Sequence, residues 1–158
     1  MEKIRLSALP ISVKILITCF VMAIGVGYSI SILQVRARTH LDRGETVRHF
    51  RGSEQNPEVY LPQSTGTMVA IAHVHSFSQP VVVGLLAFLF LFTPLSEGYK
   101  TSWILISFAG SLTNILSPWF IRDISPHAVY LLYLSGGAML VSFLVMALSI
   151  IHETWKKA

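Results

Sequence analysis

The side chains with the widest chemical reach in this chain are its histidines, six in all, and they are unevenly placed. His73 and His75 stand in Ala72-His73-Val74-His75-Ser76-Phe77-Ser78-Gln79-Pro80, and His127 follows Pro126. His40 and His49 lie upstream in a polar segment, and only His152 stands near the other end. A neutral imidazole is a metal ligand, and it donates one hydrogen bond while accepting another. On a helix, positions 73 and 75 point about 200° apart, so they make poor co-ligands of one ion. His75 and Gln79, four apart, share a face. Asn114, from another apolar run, completes a candidate polar cluster of His75, Gln79, Asn114 and His127. Pro80 removes a backbone donor beneath it and predicts a kink.

Three chemistries suit these residues. A b-type haem would take His75 and His127 as axial ligands from two facing helices. A copper or zinc ion near the same face would use His73, His127 and His49. A quinone would accept hydrogen bonds on its carbonyls from histidine and asparagine. The plainer alternative is that these groups bond one another and the backbone, at an interfacial depth where histidine is tolerated. Other site signatures are missing: there is no Gly-rich phosphate loop, no HExxH and no nucleophile elbow. A lone cysteine, Cys19, excludes a disulfide framework or a multi-cysteine metal site within the chain and reads as a packing thiol.

The elements that must position this cluster are written in the composition. The 158 residues are 53% hydrophobic and 13% charged, with a mean hydropathy of +0.61. Soluble proteins carry about 25% charged residues, so a disordered chain, a nucleic-acid-binding tail and an ordinary cytosolic enzyme are excluded. The charges fall in islands around four apolar runs, 11–33, 67–93, 101–121 and 126–151. Each reaches the roughly 20 residues that span a hydrocarbon core as a helix. The reading is an all-α integral membrane four-helix bundle in one domain, with one extramembrane loop over 34–66. Short connections make the second, third and fourth spans antiparallel neighbours. The three histidines at 73, 75 and 127 then lie at the same membrane face as the loop.

Within the loop, residues 44–52 predict a short helix bounded by glycines, and 53–57 a turn. Its arginines are nearly balanced by Asp42, Glu45, Glu54 and Glu58, and the segment is too short for a core of its own, so it lies on the bundle or against a partner. The first run is longer than a signal-peptide core, so it reads as a retained anchor. Lys and Arg divide evenly between the two faces. The first helix, with Lys156 and Lys157 after the last, favours cytoplasmic termini, although Arg36 and Arg38 flank the first run on the other side. Small residues, among them Gly110 with Asn114 and Ser135 to Ala138, predict close helix contacts within the bundle or with another subunit. No acidic residue stands in the runs, which disfavours a proton-coupled transporter.

The stretches Glu45-Thr46-Val47-Arg48-His49-Phe50-Arg51-Gly52, Tyr60-Leu61-Pro62-Gln63-Ser64 and Ala72-His73-Val74-His75-Ser76-Phe77, with Leu134-Ser135-Gly136-Gly137-Ala138-Met139, resemble a family of small, uncharacterised four-helix bacterial inner-membrane proteins. Some relatives carry a Cys-x-x-Cys-His haem-attachment motif after the first helix, which this chain lacks, so covalent c-type haem is excluded. The resemblance implies the topology and draws attention to His49 and Arg51 as partner-binding residues beside His73 and His75. The expectation is a non-catalytic membrane subunit or accessory protein of a bacterial respiratory or electron-transfer complex. It would contact lipid, quinone or haem, and other membrane or periplasmic subunits such as a cytochrome, but no nucleic acid. The alternative is a cofactor-free structural or assembly subunit.

Overall fold

In lipid an apolar segment has to satisfy its own backbone hydrogen bonds, and a helix does this within one segment. The computed structural model describes residues 5–53 and 61–157. The expected turn beyond Ser53 and the charges of Lys3, Glu54 and Glu58 lie outside the described residues. The chain forms α1 (Ile11–Thr39), α2 (Arg43–Arg51), α3 (Thr65–Leu91), α4 (Glu97–Trp119) and α5 (Val129–Trp155). All but α2 belong to helical stretches long and apolar enough to cross a membrane. The protein is an all-α membrane bundle.

The boundaries depart from the apolar runs where polar residues carry the helices further. α1 continues past Leu33 to Thr39, since no Gly or Pro interrupts it and Arg36 and Arg38 suit the negative end of the helix dipole. The loop expected over 34–66 is therefore shorter. It starts with His40 and Leu41 at φ of 51° and 58°, a left-handed pair closed by the Asp42 N–H on the Thr39 carbonyl at 2.8 Å. Asp42 then caps α2 by accepting from the Glu45 N–H. Gly52, at φ 77°, ends it. α4 begins at Glu97 rather than 101, because Lys100 is buried with its Nζ on the Leu91 carbonyl (3.1 Å) and 2.7 Å from Glu97. Beyond Trp119 the helix widens into one π-type turn, Phe120–Ile124. A 3₁₀ turn over Pro126–Ala128 precedes α5, so α5 begins later than expected and runs on to Trp155.

α5 is the hub. It packs along α4 and also touches α1, α2 and α3. The core joins Ile17 and Val21 of α1, Leu86 and Phe90 of α3, and Phe143, Met146 and Ile150 of α5. α4 meets α5 closely at Gly110, where a Cβ would stand 3.0 Å from Met139 Cγ and 3.4 Å from the Ser135 carbonyl. α1 is peripheral, with 11% of its most apolar stretch buried against 39% in α5. Trp155 Nε1 donates to Thr18 Oγ1 (3.0 Å) and ties the end of α5 to α1.

Candidate functional site

α2 lies across the bundle end, as the loop's lack of its own core requires. Thr46, fully buried, bonds the Tyr133 hydroxyl of α5 at 2.7 Å. Val47 and Phe50 pack on Ile121, Ala128 and Val129. Arg51 Nη1 donates to the Ile121 carbonyl at 3.1 Å, one of the carbonyls that a helix end leaves without a donor. Arg122 stacks on Trp119 and donates to the Gln63 carbonyl at 3.2 Å, holding the return strand of the loop at the same end.

Beneath this cover is a cavity of about 280 Å³. Its polar lining comes from every direction: Gln34 and Arg38 from α1, His49 from α2, His75 from α3, and Asn114 and Trp119 from α4. Met68, Ile71, Ile115 and Leu132 supply apolar wall. His49, half-buried, sits edge-on to Phe50 at 5.0 Å. Burial lowers its imidazole below the ordinary histidine value, and the Arg38 charge lowers it further. Both effects favour the uncharged ring.

His75 is held from below. Gln79, one turn on, places Nε2 3.3 Å from His75 Nδ1, and its Oε1 accepts from Ser111 Oγ of α4 at 2.9 Å. A serine hydroxyl and a glutamine amide can each donate and accept, so this chain of contacts positions the exposed His75 ring with either of its nitrogens carrying the proton. Asn114 is braced the same way, with Nδ2 3.4 Å from Ser135 Oγ of α5. Gln79 supports the ring and does not itself line this cavity.

His127 and His73 are placed elsewhere. His127, exposed, receives a hydrogen bond at Nδ1 from Arg43 Nη2 (3.2 Å), and that guanidinium lies 5.0 Å over the Tyr130 ring. His73, also exposed, meets Phe77 edge-on at 5.1 Å. It diverges from His75 as the helical spacing requires. Neither lines the cavity. Among the described residues, no three His, Cys, Asp or Glu side chains are grouped to hold a metal ion. Arg51 serves within the chain, as the bond to Ile121 shows. Arg38 and His49 both line the site, Arg38 unannounced by the sequence like Trp119, and His49 expected only as a metal ligand or partner contact. Only the continuation of α1 and the docking of α2 bring the first two together.

The chain thus has four long apolar helices and, at one end, a cavity whose mainly apolar wall carries a few polar side chains. The chain belongs to a family described as a transmembrane helical domain. The match covers residues 40–158, which takes in α2 to α5 and leaves α1 outside. No curated protein and no solved structure matches the chain. In this transmembrane family member, His49, His75, Asn114 and Trp119 stand within the matched region, whereas Arg38 is contributed from outside it.

Proposed function

We propose that the protein is a multi-pass membrane subunit or accessory protein of a bacterial electron-transfer complex, and that the end cavity receives a quinone head group. The observation that carries this reading is the chain from Ser111 through Gln79 to His75. It holds the His75 ring at the wall of a cavity that Asn114 also lines, where the tautomer protonated on Nε2 would donate to a bound carbonyl. A quinone carbonyl needs such a donor. A haem iron would take the other tautomer, and it would also need a second axial ligand, whereas His127 does not line this cavity. The size points to a small ligand, since about 280 Å³ lies just below the roughly 300–1,000 Å³ of ligand pockets. That suits a single-ring head group better than a porphyrin. His49, kept neutral, and Arg38 line the same cavity and offer further polar contacts. The protein would bind and orient the quinone, while the redox chemistry belongs to the quinone and to a partner such as a cytochrome.

Four spans put both termini on one face. Lys156 and Lys157 after the last helix favour the cytoplasmic face of a bacterial inner membrane, with α2 outside. A cofactor-free assembly subunit is the second reading, favoured by the thinly buried α1.

The test uses the full chain in nanodiscs, in a Trp103→Phe, Trp155→Phe background that leaves Trp119 as reporter. A ubiquinone with one isoprene unit should quench Trp119 saturably. His75→Ala and Asn114→Ala should each weaken binding about tenfold, the order of a lost hydrogen bond of 1–2 kcal/mol. A stoichiometric haem band in the reduced spectrum of the native protein would move the reading to haem b. A colourless protein that binds no quinone would move it to the assembly subunit.

A further inference from the structure

His75 stands at a junction. Besides the end cavity it lines a second hollow of about 470 Å³, further into the membrane between α1 and α3. α1 supplies Phe20, Ile24 and Tyr28 to that hollow, α3 supplies Val82 and Val83, and Met139 of α5 stands behind. The upper cavity is edged with arginine, histidine and asparagine, and this lower one is largely apolar. The separation has a structural cause: α1 approaches α5 more closely than α3, with Tyr28 stacked on Phe143 (4.7 Å between ring centroids), while Ile17 and Val21 share a core with both helices. Gly27 lines the gap, and a Cβ added there would meet nothing within 4 Å.

We propose that the α1–α3 cleft is the tail groove of the same ligand, so that the protein selects a long-chain, prenylated quinone and admits it sideways from the bilayer. This rests on the quinone reading of the end cavity. The His75 wall shared by the two hollows is what commits the cleft to this occupant. A head group hydrogen-bonded to that ring would have the cleft beside it to receive the tail. Its tail-sized apolar lining lies at membrane depth, and it has no charged residue among its walls. A prenyl tail in lipid is already out of water, so the groove gains by packing rather than by the hydrophobic effect. The selectivity is accordingly modest, about five- to tenfold.

The experiment compares two probes on the Trp119 reporter chain in nanodiscs: a ubiquinone with one isoprene unit and a ubiquinone with four. Gly27→Leu fills the cleft where the structure has room for it, and Ser31→Leu, on the same helix and lining the same cleft, gives an independent obstruction. Gly137→Leu, also free of neighbours within 4 Å and outside both cavities, is the control for an added leucine in the membrane. The expected result is a five- to tenfold loss of affinity for the long probe in Gly27→Leu and Ser31→Leu, with the short probe unchanged and Gly137→Leu like the wild type. Comparing variants on the same probe removes its partitioning into lipid. If both probes bind and the cleft variants alter neither, or alter both equally, the tail groove is overturned while the head-group site stands. If neither probe binds the wild-type chain, both readings fall together.

Discussion

Ser117 Oγ donates to the Asn114 carbonyl at 3.2 Å, the carbonyl that Pro118 leaves without its helical donor. A proline inside a helix has no N–H for the residue four before it, and Pro118 sits inside α4. Ser117, fully buried, supplies the missing donor and so steadies the turn that carries Asn114 into the cavity. Ser117→Ala would leave that carbonyl unsatisfied. The expected cost is about 1–2 kcal/mol of stability, with weaker quinone binding although Ser117 lies outside the cavity wall. Thermal unfolding in detergent, read beside quinone affinity, checks both. A Ser117→Ala protein with wild-type stability and affinity would show that the turn needs no such donor.

The contact of Gly110 with α5 is a steric limit. A Cβ there would press on Met139 Cγ at 3.0 Å and on the Ser135 backbone carbonyl at 3.4 Å. Met139 has flexible bonds and gives way, while the carbonyl does not. Gly110→Ala should cost about 1–3 kcal/mol as overpacking does, and Gly110→Leu should separate α4 from α5 and lower the yield of folded protein. Gly137→Leu should leave the fold unchanged, because nothing stands within 4 Å of that position. If Gly137→Leu nevertheless strips a co-purifying subunit from the native complex, the outer face of α5 is where that subunit binds. Size-exclusion profiles of the three variants separate these outcomes.

How much of this was legible in the sequence follows from the range over which each signal acts. The four spans are local runs of apolar residues, and their length alone identifies them. So is α2, whose cap Asp42 and stop Gly52 stand beside it in the chain. His75, Gln79 and Asn114 were legible as a cluster because helical spacing and antiparallel packing bring them level. His127 was drawn into the same cluster by level alone, and Arg43, which reaches it from α2, is far away in sequence. Arg38 was counted as a loop charge and His49 as a metal ligand or partner contact, since nothing local says that α1 runs on to Thr39 or that α2 folds down over the bundle. Nothing local marks Ser111, although its hydroxyl is what holds the Gln79 amide from α4.

That amide is open to chemical inversion. Gln79, as a neutral amide, can offer His75 Nδ1 an N–H donor, and the quinone reading requires that it does. Gln79→Glu replaces it with an acceptor of nearly the same shape, which draws the ring proton to Nδ1 and leaves a lone pair on Nε2. A donor to the quinone becomes an acceptor that repels its carbonyl. Binding should fall more in Gln79→Glu than in Gln79→Leu, which merely removes the support, and the ring nitrogens in an ¹⁵N-histidine spectrum should exchange their protonated and unprotonated shifts. Equal losses in the two variants would argue that Gln79 only fills space. A gain of haem on expression in Gln79→Glu would show that the pocket accepts iron once the tautomer allows it.

The fourth expectation concerns acid. His49 is lowered from its ordinary value by burial and then by Arg38, so the unfolded chain takes up its proton at a higher pH than the folded one does. The sign follows: above about 6.5, the ordinary value, both states are neutral at this residue and it costs nothing. As the pH falls below that value the unfolded state is protonated first, and stability declines until the pH passes the lowered folded value, where the loss levels off. α2 is the element that should loosen, because His49 rides on it beside the Thr46–Tyr133 bond. His49→Gln, which keeps a polar side chain but has no titrating ring, should flatten this part of the profile. The measurement is hydrogen exchange of the α2 amides between pH 7.5 and 5, corrected for intrinsic rates, in both proteins. A wild-type profile as flat as that of His49→Gln would mean that the ring is charged or neutral alike in the two states, and that Arg38 and burial do not govern it.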